Sequence, residues 1–380
     1  MIDTGPPWAK ASPQSSPEHR IHSFDITIIG GGVAACWLAF RLAQAGASVQ
    51  LCVREAALLS GYAHQSLPKV TLGLTDSLSR LQHGIGIERS QLILDLGLQS
   101  RSLWTELGAF VTAGGFHIAT DDKERIEIEE SLQILHEHGG WQARAQESDF
   151  GVAFFSPLEG NVDITVARRA FEKSLSQAQV QIQYHCPIHT VIGQRNGSFQ
   201  LESDRESYPS ELVIYAEGWQ AGALDPFLAA VLTPVREQWV AFPAPPRPNH
   251  RIQYGYQYWG SVEGHMLYGG CRWGSMHFEV GETEPMCNPK IHAHLSRIAK
   301  QRYPQHPSPT HAWATIMTHS CDSLPLVGAL PGSGNQLCCL AFQGHDCSLA
   351  PALAVRLAQT IIDGENQALP HWLRPHRLKL

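Results

Sequence analysis

The clearest pattern of apolar and polar positions lies in residues 24–55. The run 26–29 is short, apolar and β-branched, which predicts a buried strand. A glycine turn at 30–32 follows, and small residues then recur at helical spacing at Ala35, Ala39 and Ala43. A second apolar run ends near Val53. The pattern therefore predicts a strand, a glycine turn, an amphipathic helix and a second strand.

After residue 55, the spacing of apolar positions along the chain predicts alternating blocks of helices and strands. Asp163 precedes one of the helical patterns and is suited to cap its N-terminus. The predicted elements are a helix from about Asp76 to Leu107, strands within 109–119, strands mixed with a short acidic helix within 125–154, a helix over 162–176, strands at 180–184, 191–192, 198–202 and 212–215, a helix over 288–303, a strand near 338–341 and a last helix from about Ala350 to Asp363.

Residues 234–283 differ from the rest because they combine frequent glycines with many aromatic residues. Strands favour aromatic residues, so this segment predicts an antiparallel sheet. The aromatic residues are Trp239, Tyr254, Tyr256, Tyr258, Trp259, Tyr268 and Trp273.

The order of these blocks predicts a mixed α/β (α+β) fold with two domains. A discontinuous Rossmann-like nucleotide domain is closed by the C-terminal part of the chain and is joined to an antiparallel-sheet substrate domain. The predicted ranges are a flexible arm at 1–23, the nucleotide domain at 24–75, 155–225 and 310–368, the substrate domain at 76–154 and 226–309, and a tail at 369–380.

The glycine turn fits a dinucleotide, since Gly30, Gly32 and Ala35 form the pattern G-x-G-x-x-A. Gly30 permits the tight turn, Gly32 lets the backbone approach a pyrophosphate, and Ala35 lets the helix lie close to the strand. The helix N-terminus offers N–H groups to the phosphates. The acid expected about 20 residues later to hold the ribose is missing, because that position is Val53. Glu55 can supply the missing carboxylate if the end of the second strand is shifted from this position.

Composition restricts the function further. The 380 residues carry a formal net charge of −7 and no long basic run, so we expect no nucleic-acid partner. No apolar run is long enough for a transmembrane helix, and residues 1–23 lack the apolar core of a secretory signal. The nine cysteines form no C-x-x-C pair and predict reduced, buried thiols in a cytoplasmic protein. The histidines show no metal-site spacing, so no metal is expected.

With these elements in place, the chain resembles the FAD-dependent D-amino acid oxidase superfamily, which includes glycine and sarcosine oxidases and γ-glutamylputrescine oxidase. Seven motifs occur in the family's order over residues 24 to about 365. They are the turn at 30–32, the segment 60–65, Val162-Asp163, the strand end 216–218, the hairpin 263–272, the pair of segments 313–317 and 322–328, and the last motif 341–346 with Ala350-Pro351.

The resemblance implies FAD held between the two domains and oxidation of a carbon–nitrogen bond of a small amine or amino acid by hydride transfer to flavin N5. An electron acceptor or partner protein is not identified. The FAD-binding residues that it implies are Gly30, Gly32, Ala35, Arg54, Glu55, Ser60, Gly61, His64, Gln65, Ala216, Gly218, Gly328, Gly344, His345 and Asp346.

Four residues are candidates for catalysis. Arg272 is suited to hold a substrate carboxylate by two parallel hydrogen bonds, or else it forms an ordinary salt bridge. Tyr256 and Tyr258 share one face of a strand, where they either bind substrate or pack in the core. His64 is a candidate for a covalent link to the flavin, as in related dehydrogenases.

The sequence departs from the family where the flavin is expected. Added side chains there either fill space or contact the cofactor. Asp346, if it lies near the pyrimidine edge of the flavin, would disfavour flavin reduction by its negative charge. The departures are Ala63, His64 and Gln65 in place of Asn-Gly-Gly, Glu217 in place of a small residue, and Thr315, Ala341 and Asp346 in place of glycines.

Two other functions stay open at this stage. The substitutions favour a flavin-fold protein with weakened or lost catalysis that acts in binding or assembly. The last helix and residues 373–377 also resemble the flavin domain of the bifunctional wobble-uridine enzyme, which favours a tRNA-modifying flavoprotein. The acidic net charge argues against the second, because binding tRNA requires neutralisation of its phosphates.

Overall fold

The computed structural model describes residues 24–71, 77–252, 256–364 and 369–378. The predicted arm at 1–23, the predicted helix start at Asp76 and the sheet residue Tyr254 lie outside these ranges.

The strands, numbered along the chain, are β1 (Phe24–Ile29), β2 (Val49–Cys52), β3 (Lys69–Val70), β4 (Phe110–Thr112), β5 (Gly115–Ile118), β6 (Arg144–Ser148), β7 (Gly151–Ser156), β8 (Gly160–Val162), β9 (Gln181–Gln183), β10 (Ile188–Gly193), β11 (Phe199–Ser203), β12 (Ser207–Tyr215), β13 (Leu232–Pro243), β14 (Asn249–Ile252), β15 (Gln257–Val262), β16 (His265–Gly270), β17 (His311–Ser320), β18 (Leu326–Ala329) and β19 (Gln336–Leu340). The α-helices are α1 (Val33–Gln44), α2 (Leu78–Ile85), α3 (Ile87–Glu106), α4 (Asp122–His138), α5 (Ile164–Gln177), α6 (Pro226–Val231), α7 (Pro289–Arg302) and α8 (Asp346–Asp363).

The first sheet has the order β10-β11-β12-β1-β2-β9, and β19 pairs with β12 while β18 pairs with β19. Strands β12, β1, β2 and β9 run parallel, so their carboxyl ends meet at one edge. The glycine turn follows β1 at that edge, between the ends of β12 and β2. The predicted strand–turn–helix–strand unit is therefore confirmed, and it lies at the sheet centre.

The second sheet has the order β17-β13-β16-β15-β14-β5-β7-β6. Its neighbours are antiparallel except for β14 and β5, which are parallel. The predicted antiparallel sheet is thus confirmed for strands β13 to β16. The prediction was wrong beyond Gly270, since Arg272–Gly274 form a 3₁₀ turn and the chain then runs through a loop. The predicted domain ranges stay a prediction; β17, which falls in the range assigned to the nucleotide domain, pairs with β13.

Helix α8 is held at its N-terminus, which matters because its first residue reaches the site described below. The Trp104 indole donates a hydrogen bond to the Cys347 carbonyl at 2.8 Å. The hydroxyl of Ser348 accepts from the Thr71 amide at 3.0 Å and donates to the Lys69 carbonyl at 3.2 Å. These contacts join the helix start to α3 and to β3. The position of the helix end is therefore set by long-range contacts.

Three further expectations need correction or refinement. The long helix predicted from Asp76 to Leu107 is two helices, because Gly86 adopts a φ of 86° and ends α2 before α3 begins. The acidic helix predicted as short spans Asp122–His138. The cysteines are mostly buried as expected, but Cys287 is half-buried and Cys321 is exposed.

The expected N-cap at Asp163 is confirmed, since its carboxylate accepts a hydrogen bond from the Val166 amide at 2.9 Å.

Among the residues that the structure describes, no helix combines the length and the apolar character needed to cross a membrane. The same residues hold no cluster of His, Cys, Asp and Glu that could bind a metal ion.

Candidate functional site

Two adjoining cavities lie between the sheets. We call the first the nucleotide cavity, because it begins at the glycine turn. It is lined by residues 30–34, Arg54, Glu55, Leu59, residues 61–63, Gln65, residues 216–220, Thr283, Pro285, residues 315–318, residues 339–343 and Asp346.

The glycine turn leaves room for a ligand at one position only. A Cβ on Gly30 would lie 2.5 Å from the Ala216 carbonyl oxygen, and Gly30 has a φ of 133°, so this glycine is needed for the turn itself. A Cβ on Gly31 would lie 2.5 Å from Cγ1 of Val53. A Cβ on Gly32 would meet no atom within 4 Å. The backbone at Gly32 is therefore open to the cavity.

Helix α1 begins next to this opening. Gly32 is its N-cap and offers no side chain to the first N–H groups of the helix. The helix dipole adds positive potential at the same point. A phosphate group fits the chemistry of this helix end.

At the edge of the nucleotide cavity, Arg54 and Glu217 form an ion pair. Arg54 follows β2 and Glu217 follows β12, and the Nη2–Oε2 distance is 3.3 Å. The Glu217 side chain is only 6% exposed, and burial raises its pKa to about 7 against the opposing effect of Arg54. Its Oε1 is buried and has no hydrogen-bond partner among the described residues. The carboxylate thus has unused acceptor capacity.

The second cavity lies against the second sheet, and we call it the sheet cavity. It shares Met317 and Gln343 with the nucleotide cavity, so the two cavities adjoin at these residues. It is lined by Lys69, Arg80, Leu81, Gly84, Ile85, Glu237, Tyr256, Tyr258, Gly270, Arg272, Met317, His319, residues 322–324 and residues 343–345.

Glu237 is the buried acid of the sheet cavity, with 2% of its surface exposed. Its Oε2 accepts hydrogen bonds from the Tyr62 hydroxyl at 2.7 Å and from the Trp239 indole at 3.1 Å. No described residue donates to its Oε1. Burial raises the pKa of Glu237, and the positive charges of Lys69 and Arg272 oppose that shift.

Two cations accompany this acid. The Lys69 ammonium lies 4.2 Å from the centre of the Tyr258 ring, and burial lowers its pKa. Arg272 follows β16 through a turn that only glycine permits at position 270, since a Cβ there would lie 2.1 Å from the Tyr256 carbonyl oxygen. The cavity therefore offers positive charge and a hydrogen-bond acceptor at the same time.

Tyr62 connects the two cavities. Tyr62 lines the nucleotide cavity, and its hydroxyl reaches Glu237 in the sheet cavity. Gly344 lies against that hydroxyl, since a Cβ on Gly344 would be 2.8 Å from it. The 3₁₀ turn that carries Tyr62 is fixed by the Trp313 indole, which donates to the Gln65 carbonyl at 2.7 Å.

The structure brings together most, but not all, of the residues singled out from sequence. The nucleotide cavity includes Gly30, Gly32, Arg54, Glu55, Gly61, Gln65, Ala216, Gly218 and Asp346. The sheet cavity includes Arg272, Tyr256, Tyr258, Gly344 and His345. Neither cavity lining includes Ala35, Ser60, His64 or Gly328.

His64, the candidate for a covalent link to the flavin, lines neither of the two cavities. It is buried, burial lowers its pKa to about 4, and it lines a third cavity beside Asn161 and Arg247. Asp346, in contrast, is the first residue of α8 and lines the nucleotide cavity. Burial raises its pKa to about 6. Its effect on flavin reduction stays a prediction.

Sequence reasoning did not identify Tyr62, Lys69, Glu237 or His319. Glu237 has no clear signal in the sequence, because Arg236 and Gln238 flank it and this part of β13 reads as polar although it is buried in the structure. Lys69 and Tyr62 have no signal either, because each is a polar residue outside any periodic apolar pattern.

Among known protein families, the family model described as FAD dependent oxidoreductase (DAO) matches residues 25–360 of this chain. Among curated proteins, the tRNA 5-methylaminomethyl-2-thiouridine biosynthesis bifunctional protein MnmC of Aeromonas salmonicida is 26% identical over 231 residues, which are 56% of this chain and 33% of that protein. The match thus spans about a third of the curated relative's length.

Solved structures show the same fold. Glycine oxidase from Geobacillus kaustophilus superposes with a TM-score of 0.78 at 18% identity, covering 94% of this chain and all of the other. L-α-glycerophosphate oxidase from Mycoplasma pneumoniae with FAD bound gives a TM-score of 0.72 at 15% identity, covering 93% and 98%. At these identities the likeness establishes the fold and not the substrate.

Proposed function

Because this chain belongs to the family of FAD-dependent oxidoreductases, we propose that it oxidises a carbon–nitrogen bond of a small amine or amino acid. The observation that carries this proposal is that the two cavities adjoin, since both linings include Met317 and Gln343. A substrate held by the charged groups of the sheet cavity would lie next to a cofactor held in the nucleotide cavity.

FAD is the cofactor, and the nucleotide cavity fits it. The open backbone at Gly32 and the uncapped start of α1 suit its pyrophosphate. The unused acceptor on Glu217 suits a group that donates hydrogen bonds. When bound, FAD supplies the acceptor for the hydride that leaves the substrate.

The charged residues of the sheet cavity suit an amino acid. Arg272 can hold a carboxylate through two parallel hydrogen bonds, as predicted from the sequence. Glu237 has an Oε1 to which no described residue donates, so that oxygen is available to a substrate N–H group. As a carboxylate, Glu237 would take the proton of a substrate ammonium and leave the neutral amine that oxidation requires.

The direct test is anaerobic mixing of the yellow purified protein with a panel of amino acids and amines. Bleaching of the flavin absorbance by a member of the panel is the expected result. A protein that contains FAD but is bleached by no amine or amino acid would contradict the proposal.

Arg272→Gln should distinguish substrates by their carboxylate. We expect kcat/KM to fall about 30-fold for an amine that carries a carboxylate, since a charged hydrogen bond worth about 2 kcal/mol is lost. For the matching amine without the carboxylate, kcat/KM should change less than about threefold. Steady-state kinetics with the two substrates checks this.

Arg297→Gln is the matched control for that variant, because Arg297 lies on α7 outside the lining of the sheet cavity and contacts His294. It should leave both kcat/KM values unchanged. An equal loss for both substrates in Arg272→Gln would mean that Arg272 acts on the fold and not on the carboxylate.

The second candidate is oxidation of a modified base in tRNA, which the match to the curated relative favours. The tail residues noted for this reading are engaged within the protein. Arg377 binds the Asp322 carboxylate at 2.6 and 2.8 Å, and Arg374 donates to the Leu369 carbonyl at 2.7 Å. Flavin bleaching by undermodified tRNA, without bleaching by free amines, would establish this candidate.

The third candidate is a protein of this fold that has lost catalysis. Asp346 in the nucleotide cavity and Glu237 in the adjoining sheet cavity favour it, because their negative charges oppose the extra charge of a reduced flavin. A yellow protein that neither amines nor tRNA can bleach, and whose flavin potential is unusually low, would establish it.

A further inference from the structure

We propose that Glu217 supplies the carboxylate that binds the ribose hydroxyls of the adenosine part of FAD, in place of the acid that the glycine-turn motif lacks at Val53. The inference concerns cofactor binding and is independent of which substrate is oxidised.

Val53 is completely buried, and its Cγ1 would lie only 2.5 Å from a Cβ on Gly31. Valine therefore fills the space under the glycine turn, and it offers no acceptor. A polar partner for the ribose must come from elsewhere along the cavity edge.

The strand order of the first sheet brings Glu217 to the end of β2. Strands β12 and β2 flank β1 on its two sides, and all three run parallel. A residue just after β12 consequently reaches the same edge as a residue just after β2. Glu217 follows β12 and meets Arg54, which follows β2, at 3.3 Å. Its carboxylate therefore reaches the end of β2, the strand on which the motif usually places the acid.

The Glu217 carboxylate has unused hydrogen-bonding capacity. The Glu217 side chain is 6% exposed, and its Oε1 is buried with no partner among the described residues. Buried polar atoms are almost always hydrogen-bonded. The carboxylate lines the nucleotide cavity and is an acceptor only, whereas a ribose brings two hydroxyl donors. Arg54 favours the ionised form that accepts them.

Glu55 is the competing carboxylate. It lines the same cavity and lies just beyond β2. The experiment therefore compares Glu217→Gln with Glu55→Gln. Both changes remove one negative charge and keep the side-chain size.

The measurement uses apoprotein and three probes. FAD affinity is measured by quenching of flavin fluorescence, and ADP and 2′,3′-dideoxy-ADP are then measured as competitors of FAD. We expect the unmodified protein to bind ADP about 30-fold more tightly than the dideoxy compound, since two hydroxyl hydrogen bonds are lost. In Glu217→Gln that ratio should fall below about fivefold, and FAD should bind about tenfold more weakly. Glu55→Gln should keep the preference for ADP over the dideoxy compound.

The melting temperature of each apoprotein shows whether a loss of FAD affinity comes from a less stable fold instead of from a lost contact with the ribose. A loss of FAD affinity in Glu217→Gln with the ADP preference intact would overturn the proposal, since the effect would then arise from the lost ion pair with Arg54. Loss of the preference in Glu55→Gln, or no preference in the unmodified protein, would overturn it equally. None of these readouts depends on amine oxidation, so a failure of the proposed amine oxidation would leave them unaffected.

Discussion

Gly32→Ala should weaken FAD binding by about 100-fold or more while leaving the fold intact. The backbone at Gly32 has φ −78° and ψ −173°, which any residue adopts, and an added Cβ meets no protein atom within 4 Å. The methyl group instead occupies the opening through which a pyrophosphate approaches the start of α1. Titration of apoprotein with FAD and thermal unfolding of the apoprotein measure the two effects.

Two glycine variants serve as controls. Gly31→Ala forces a Cβ to 2.5 Å from Val53, so it should lower the melting temperature of the apoprotein itself. Gly334→Ala lies in the loop between β18 and β19, where a Cβ also meets nothing, and it should change neither property. Normal FAD affinity in Gly32→Ala would mean that the pyrophosphate does not pass over this turn.

Glu237→Gln should lower the rate of flavin reduction by an amine substrate about 1,000-fold at neutral pH, because a positioned proton acceptor contributes 10²–10⁴-fold. The substitution keeps the shape and one acceptor for Tyr62 and Trp239, so the protein should fold and bind FAD normally. Anaerobic stopped-flow mixing with the substrate found in the amine panel measures the rate.

The pH dependence of that rate tests the role of Glu237 as a proton acceptor. Burial raises the pKa of Glu237, and only the carboxylate accepts a proton. The rate in the unmodified protein should therefore rise as the pH increases through this raised pKa and then level off. In Glu237→Gln the rate should instead follow the ionisation of the substrate amine at higher pH.

Tyr62→Phe is the matched variant for this prediction. It removes the 2.7 Å hydrogen bond to Oε2 and keeps the acid. We expect a loss of only about tenfold, from one hydrogen bond to a charged group, and an unchanged form of the pH profile. An equal loss in both variants, or a Glu237→Gln profile identical to that of the unmodified protein, would show that Glu237 is not the proton acceptor.

Much of the fold could be predicted from the sequence because the signals are local. The strand–turn–helix–strand unit depends on backbone freedom at Gly30 and on helical spacing within one segment. The N-cap at Asp163 and the antiparallel strands β13 to β16 depend on equally short patterns. The prediction was wrong for the helix from 76 to 107, since a glycine inside an apolar periodic pattern did not indicate how sharply the chain turns at Gly86.

The candidate site could be predicted only in part for the same reason. The nucleotide side was identified through the turn residues, which act through their own backbone. The sheet cavity combines Lys69, Glu237 and Arg272, which are separated by long stretches of sequence and meet only because β3, β13 and the turn after β16 converge. No local sequence pattern predicts that these three residues come together.

The sequence by itself determined the family, the cofactor and the central βαβ unit, because glycine conformations and periodic burial are properties of short segments. Tertiary structure alone decided that His64 is absent from the linings of both cavities, that Glu237 meets Tyr62, and that Glu217 reaches Arg54 at the end of β2. These outcomes depend on strand order and on the direction of side chains in packed sheets. Both are set by contacts between residues far apart in the chain, which is why an acid missing at Val53 can be replaced by one from a neighbouring strand.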